Sequence, residues 1–155
     1  MPEYTTREHL VAFNPTNKKL LYVSNGTDFS NSVDVQNDIL GAVGGQRHSR
    51  RREEEKNTLL KAKKELNPAH TTLVSHSLGS QYTNYIASPE DNVIQYNPYY
   101  TAGAKARKNV ENYRTKNDVV SSFAPKENTH FLKTPSSNPV SAHNIDNIRD
   151  APIFI

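Results

Sequence analysis

The amino-acid sequence predicts an α/β fold with a largely parallel central sheet. Short apolar runs, several of them rich in β-branched residues, recur along the chain and indicate strands. Two stretches between these runs carry apolar residues at helical spacing. The resulting order of strand, helix, strand, helix, strand, strand is typical of α/β proteins, in which right-handed crossovers join the strands of a mostly parallel sheet.

The first element predicted is a β-hairpin. Residues 10–13 and 20–23 are apolar, and the segment between them begins with four turn formers, NPTN, at residues 14–17. Further turn formers at residues 24–28 end the second strand. The polar segment after them contains one predicted short helix, at residues 33–40.

A long charged helix is predicted over residues 48–66. Leu59, Ala62 and Leu66 lie on one of its faces at helical spacing, which indicates the side that packs on the sheet. The proline at position 68 ends this helix.

A strand at residues 71–74 and a helix at residues 81–87 follow. The apolar face of this second helix is predicted to consist of Tyr82, Tyr85 and Ile86. Three further strands are predicted at residues 93–96, 110–115 and 130–133. With no convincing linker, residues 1–155 are expected to form a single domain, in which residues 134–155 are a loop-rich tail with one helical turn near residues 145–148.

Composition excludes several classes of protein. The 155 residues include 19 basic and 16 acidic side chains, and a net charge of +3 is weak support for a polyanionic partner, so no nucleic acid is expected. No apolar run approaches the roughly 18–20 residues of a membrane span, and the first residues lack the order of a signal peptide, so a soluble protein is expected. The absence of cysteine excludes a disulfide scaffold, a thiolate metal site and a cysteine nucleophile.

The most specific motif is LVSHSLGS, which contains Ser77. A predicted strand leads into this serine and a predicted helix follows it, with the small residues Ser75 and Gly79 two positions to either side. This is the pattern of a nucleophile elbow, a strained turn that raises the serine hydroxyl above the sheet. The alternative is an ordinary serine-rich turn that caps a helix.

The same segment resembles a known family. VSHSLGSQ is similar to the G/S-H-S-L-G-G elbow of the class 3 lipases, which are fungal-lipase-like α/β-hydrolases. Residues 10–39 resemble the hairpin and strand of that family, which end in an R-G-T or R-G-S motif where this chain has Asn25, Gly26 and Thr27. The resemblance implies a compact and divergent member with a hydrolase-like three-layer sandwich, acting on lipid esters with neither metal nor organic cofactor.

A serine nucleophile needs a histidine base, which in turn needs an orienting carboxylate. In α/β-hydrolases the chain order is serine, acid, histidine. Two histidines follow Ser77: His130, which opens a predicted strand, and His143, which lies in the loop after the last one. We expect His143 to be the base, because that loop is placed to reach back over the elbow.

Five acidic residues lie between the elbow and His143, namely Glu90, Asp91, Glu111, Asp118 and Glu127. Asp118 alone follows directly on the carboxyl end of a predicted strand, where α/β sheets present their functional groups. Its segment, NYRTKNDVVS, also resembles the family turn that bears the acid. Asp118 is therefore the predicted third member, and the alternative role for it is to cap a turn at residues 119–123.

The oxyanion of an acyl-transfer intermediate needs hydrogen-bond donors. The backbone amide of Leu78, directly after the nucleophile, is one candidate. The resemblance implies the amide of Thr27 as the second, although residues 25–28 also fit a plain β-turn. His76, without partners at metal-ligand spacing, is interpreted as structural.

The basic cluster consists of Arg47, Arg50, Arg51 and Arg52. It could attract an anionic membrane surface, and residues 28–52 could form a mobile cover over the elbow. The alternatives are pairing of these arginines with the glutamates at residues 53–55 along a helix, and an ordinary surface loop.

These observations predict a serine ester hydrolase acting on lipid or phospholipid esters through Ser77, His143 and Asp118. The alternative is a non-catalytic structural or partner-binding protein that keeps a hydrolase fold. In that case the C-terminal tail, APIFI, could dock on a protein partner.

Overall fold

The computed structural model describes residues 1–26, 46–133 and 138–145. In chain order the strands are β1 (His9–Asn14), β2 (Lys19–Ser24), β3 (His70–His76), β4 (Asn92–Tyr96), β5 (Val110–Thr115) and β6 (Thr129–Leu132). The α-helices are α1 (Gln46–Leu66), α2 (Gly79–Ile86) and α3 (Pro139–His143), and 3-10 turns occur at Pro2–Tyr4 and Val120–Phe123. The helix predicted at residues 33–40 and most of the helical turn predicted at residues 145–148 lie outside the described residues.

The six strands form one sheet, in which they follow one another in chain order. The hairpin β1–β2 is antiparallel and every later pair is parallel, so the predicted α/β fold with a mostly parallel sheet is confirmed. Because both helical crossovers advance in the same direction along the sheet, right-handed connections place α1 and α2 on the same face.

The main core is a row of paired side chains beneath α1. Val11, Tyr22, Leu73, Val93 and Val110 occupy consecutive register positions across five strands, and all are buried. Alternation along each strand puts these residues on a single face, where burial contributes about 1.5–3 kcal/mol for each large apolar side chain.

Helix α1 uses the predicted face. Leu59 and Ala62 are buried in the core, and Leu66 packs against it. The helix ends where Asn67 adopts a left-handed conformation, with φ of 46°, and donates its amide to the carbonyl of Lys63 at 3.0 Å. Asparagine tolerates this conformation, which explains why the helix stops there.

Helix α2 differs from its predicted face at one position. Tyr82 is buried and Ile86 packs on the core, as predicted, but Tyr85 is 44% exposed. Its hydroxyl donates to Glu53 of α1 at 2.7 Å, and the guanidinium of Arg52 lies over its ring. The prediction for Tyr85 was wrong because an amphipathic aromatic ring can join two helices at their exposed junction instead of entering the core.

The opposite face of the sheet carries a second buried cluster, formed by Ile94, Tyr96 and Tyr113. Near the carboxyl end of the sheet lies α3, within the segment that the sequence analysis interpreted as loop. Asn138 begins it, since its backbone carbonyl accepts from the amide of Ala142 at 2.8 Å. An asparagine followed by Pro139 is a recognised helix start, a signal that the sequence analysis missed.

Among the helices of the described residues, none combines the length and apolar character needed to cross a membrane.

Candidate active site

Ser77 lies in the sharp turn between β3 and α2. Its φ is 51°, in the left-handed region that non-glycine residues rarely adopt. The turn is held by its neighbours: the amide of Ser77 donates to the carbonyl of Tyr96 at 3.1 Å, and its own carbonyl accepts from the hydroxyl of Ser80 at 2.7 Å and the amide of Tyr99 at 3.1 Å. This strand, strained turn and helix have the geometry of a nucleophile elbow.

The small residues around Ser77 have steric reasons. A Cβ placed on Gly79 would lie 2.5 Å from the carbonyl oxygen of Ser24, so no side chain fits between α2 and the end of β2. Ser75 is buried beneath α2, and its hydroxyl lies 3.0 Å from that of Thr83. Close packing of the helix against the strand ends therefore requires small residues two positions before and after the serine.

The structure brings Ser77, His143 and Asp118 together. The Nε2 of His143 lies 2.7 Å from the hydroxyl oxygen of Ser77, and its Nδ1 lies 3.0 Å from Oδ1 of Asp118. When the carboxylate accepts from Nδ1–H, Nε2 carries the lone pair and accepts from the serine hydroxyl. The residues are separated by 66 and 25 positions in the chain, and all three are buried. This arrangement can transfer the serine proton to the imidazole.

The carboxylate of Asp118 is held charged by its surroundings. It accepts from the amides of Val120 at 2.9 Å and Ser121 at 3.2 Å, and from the hydroxyl of Ser121. Burial raises the pKa of Asp118, but the bond to His143, the charge of that imidazole, and the Ser121 and Val120 bonds together bring it below its usual value. Asp118 thus also begins the turn at residues 119–123, so the cap proposed as an alternative and the contact with His143 occur together.

The backbone of α3 is fixed by side chains from the strand ends. The Nδ2 of Asn97 donates to the carbonyls of Ala142 at 3.1 Å and His143 at 3.3 Å, and the hydroxyl of Thr115 donates to Ala142 at 2.6 Å. Asn97 also accepts from the amide of Thr115 at 2.8 Å. These bonds satisfy carbonyls that a helix end leaves unpaired, and they set the position of the His143 ring. Nothing local in the sequence around Asn97 indicates these partners, which lie 18 to 46 residues away along the chain.

His76 provides a further support for α3. Its Nε2 lies 2.9 Å from the carbonyl oxygen of His143, and the two rings are 5.1 Å apart. Burial and, second, the neighbouring His143 lower the pKa of His76 to about 4, so this ring is neutral at physiological pH. A neutral imidazole that donates from Nε2 is consistent with the structural role expected for it.

The competing candidates lie in other contacts. His130 is on β6, where its Nε2 lies 2.7 Å from the carboxylate of Glu111 and its side chain is 52% exposed. Asp91 is buried in an ion pair with Lys63. Glu90 and Glu127 are exposed. Among the candidate histidines and acids, the structure therefore places His143 and Asp118 together beside Ser77.

One of the two predicted oxyanion donors can be placed. Leu78 is buried directly after Ser77, immediately before the first residue of α2. Thr27 lies outside the described residues, which extend along this loop as far as Gly26. A Cβ placed on Gly26 would be 2.9 Å from the carbonyl oxygen of His76 and 3.2 Å from Cβ of Ser77, so the Gly26 backbone packs against the elbow.

A cavity of about 340 Å³ adjoins this site at the carboxyl ends of β2, β3 and β4. Val23, Val74, Tyr96 and Ile145 form its apolar walls, and Gly26 and His76 line the side next to the elbow. The remaining lining is polar, and consists of Arg7, Ser24, Asn25 and Ser75. The three triad residues do not line the cavity themselves. Its volume is in the range of small-molecule sites. Ser77 itself has no exposed surface.

Two arginines of the basic cluster form ion pairs with glutamates along α1. Arg50 pairs with Glu54 and Arg51 with Glu55, each at 2.7 Å, as the pairing alternative predicted. Arg51 points inward with 11% of its side chain exposed. The side chain of Arg47, the greater part of the cover at residues 28–52 and the tail at residues 151–155 lie outside the described residues, so the membrane, cover and docking hypotheses stay predictions.

No protein-family model matches the chain, and neither a curated protein nor a solved structure matches it.

Proposed function

We propose that this protein is a serine hydrolase of carboxylic esters. The observation that carries the proposal is the hydrogen-bonded series from Ser77 through His143 to Asp118, built on an elbow whose serine has positive φ. Backbone strain of this kind costs about 1–3 kcal/mol and persists where the surrounding structure holds it, typically at functional sites.

The mechanism follows from the positions of the three side chains. As the Oγ of Ser77 attacks the ester carbonyl carbon, its proton passes to Nε2 of His143, and Asp118 stabilises the imidazolium that forms. The amides of Leu78 and Thr27 are proposed to bind the oxyanion. When the intermediate collapses, Nε2 returns the proton to the departing alcohol. Water then attacks the acyl group by the same route, releasing a carboxylic acid and restoring the serine.

The substrate class proposed is lipid or phospholipid esters, as the resemblance to class 3 lipases implies. The apolar walls formed by Val23, Val74 and Tyr96 support an acyl chain as the group bound beside the elbow. The three-layer sandwich of α/β-hydrolases belongs to this proposal: α1 and α2 supply one helical layer, and we expect the second on the face that carries Ile94 and Tyr113.

Labelling with a fluorophosphonate tests the proposal, because this reagent forms a bond only with an activated serine. We expect the wild-type protein to be labelled at one site and Ser77→Ala to remain unlabelled. Ser122→Ala, which removes an exposed hydroxyl from a neighbouring turn, is the matched control and should be labelled like the wild type. Labelling that persists in Ser77→Ala would exclude Ser77 as the nucleophile.

One observation favours the alternative function, a non-catalytic protein with a hydrolase fold. Ser77 has no exposed surface, and Gly26 packs directly against it. The same labelling decides between the two: a folded wild-type protein that reacts with no fluorophosphonate, with or without lipid vesicles, would favour a structural or partner-binding role.

A further inference from the structure

The structure contains a buried ion pair outside the proposed triad. Glu55 of α1 is fully buried, and its Oε1 lies 2.7 Å from Nε of Arg51. The same oxygen accepts from the hydroxyl of Ser24 at 3.0 Å, at the end of β2. Such a pair is a weak source of stability, because desolvation of both charges offsets their attraction. Its position therefore suggests a role other than holding the fold together.

The guanidinium of Arg51 joins three parts of the chain. Its Nη2 donates to the backbone carbonyl of Asn25 at 2.6 Å and to that of Glu8 at 3.2 Å. The central carbon of the guanidinium, Cζ, lies 4.2 Å from the centre of the ring of Tyr82, a residue of α2. The planar, five-donor group of arginine suits several fixed acceptors at once, which a lysine ammonium cannot satisfy in the same geometry.

The acceptor on Asn25 is the peptide that leads into Gly26. The amide of Asn25, which belongs to the preceding peptide, donates to the carbonyl of Glu8 at 2.9 Å, so Asn25 is held at both its amide and its carbonyl. Gly26 comes next and packs against His76 and Ser77. Arg51 thus fixes the last described peptide before the predicted oxyanion residue, Thr27.

We propose that Arg51 is a positioning residue: its guanidinium holds the peptide between Asn25 and Gly26 so that Gly26 is set against Ser77. Catalytic relevance of this contact rests on the proposed hydrolase function, whereas the positioning itself does not. Glu55 orients Arg51, and neither side chain touches the triad. A misplacement of oxyanion donors by about 1 Å can reduce turnover by about 100-fold, so loss of the contact should lower kcat.

The kinetic experiment compares Arg51→Lys with Arg50→Lys on a short soluble ester. Arg50 forms the same kind of helical pair one residue earlier, but its side chain is 83% exposed and contacts the exposed Glu54. We expect Arg51→Lys to lower kcat by about 10- to 100-fold with little change in KM, and Arg50→Lys to match the wild type. An unchanged kcat in Arg51→Lys would overturn the proposal.

A double variant separates positioning from stability. Replacing the pair by Arg51→Met and Glu55→Met removes both buried charges, which is often neutral or stabilising. We expect a melting temperature above that of Arg51→Met alone, because no unpaired buried charge remains, together with the low kcat of Arg51→Lys. Recovery of both stability and kcat in the double variant would show that Arg51 is merely structural.

A spectroscopic measurement decides the positioning even in a protein without esterase activity. The hydrogen bond from Arg51 polarises the peptide whose nitrogen is that of Gly26, so the ¹⁵N shift of Gly26 reports on it. We expect this resonance to move in Arg51→Lys and to stay in place in Arg50→Lys. An inactive wild type with a moved resonance contradicts the proposed function alone. A resonance that does not move contradicts the role of Arg51 whatever the activity.

Discussion

The Nε2–H of His76 donates a hydrogen bond to the backbone carbonyl of His143, 2.9 Å away. The residue next to the proposed nucleophile therefore supports the backbone of the proposed base, while the imidazole of His143 is left to contact Ser77 and Asp118. Asn97 adds a second donor to the same carbonyl. The elbow and α3 are thus tied together by bonds that take no part in proton transfer, and each can be tested by itself.

The first prediction concerns Asp118→Asn. The amide can no longer act as the charged acceptor for Nδ1–H, and the imidazolium loses its counter-charge. We expect kcat for a soluble ester to fall by about 10³- to 10⁴-fold with little change in KM. Glu127→Gln, which neutralises an exposed acid, is the matched control and should retain the wild-type kcat. A smaller loss in Asp118→Asn than in Glu127→Gln would contradict the assignment of the acid.

The second prediction compares two asparagines with left-handed backbones. Asn97 and Asn67 have φ of 41° and 46°, a conformation that glycine adopts without strain. Asn97→Gly removes the bonds to Thr115, Ala142 and His143, so we expect the free energy of unfolding to fall by about 1–3 kcal/mol and kcat to fall with it. Asn67→Gly, at the exposed end of α1, should change stability by less than about 1 kcal/mol.

Urea unfolding and ester turnover on both variants check this prediction. Equal effects of the two substitutions would mean that the Asn97 side chain does not fix α3.

The third prediction is a pH dependence of stability. The pKa of His76 is lowered to about 4 by burial and by His143, whereas an unfolded histidine titrates near about 6.5. The unfolded chain therefore binds this proton first as pH falls. The stabilisation is fully present above about pH 6.5 and is lost progressively toward about pH 4, by at most about 1.4 kcal/mol per pH unit. The lowered pKa of Asp118 adds a loss only below its unfolded value of about 3.9.

The measurement is the free energy of unfolding at intervals between about pH 7 and pH 5, for the wild type and His76→Gln. Glutamine can still donate to the carbonyl of His143 but does not titrate. We expect a shallower slope for the variant. His9, whose pKa burial also lowers, contributes equally to both proteins. Identical slopes would show that His76 is not held neutral by the fold.

Much of the fold could be predicted because its signals are local. Short apolar runs predicted the strands, and the spacing of Leu59, Ala62 and Leu66 predicted the buried face of α1. The strand, turn and helix around Ser77 were also visible in the sequence, as was the position of Asp118 after β5.

The remaining features depend on contacts between distant segments. Asn97 donates a hydrogen bond to Ala142, which lies 45 residues later in the chain, and Arg51 donates one to Asn25, which lies 26 residues earlier. Nothing in the local pattern around either residue specifies its partner. The exposure of Tyr85 likewise depends on how α1 and α2 meet, which helical periodicity alone does not determine.

The last prediction tests whether Ser77 stores backbone strain. Ser77→Ala and Ser77→Gly, both of which we expect to be inactive, lose the same hydroxyl and the same hydrogen bond to His143. Within helices and strands, alanine is favoured over glycine by about 0.5–1 kcal/mol, since glycine loses more conformational entropy on folding. At φ of 51°, however, a Cβ costs about 1–2 kcal/mol that glycine avoids.

We therefore expect Ser77→Gly to be more stable than Ser77→Ala by up to about 1 kcal/mol, the reverse of the usual order. Lys18, an exposed residue with φ of 52°, provides the matched pair. The free energy of unfolding of Lys18→Gly should exceed that of Lys18→Ala by a similar amount, and neither variant should lose activity. The elbow is relaxed if Ser77→Ala is more stable than Ser77→Gly although Lys18→Gly is more stable than Lys18→Ala. Strain at the serine would then no longer support its assignment as a nucleophile.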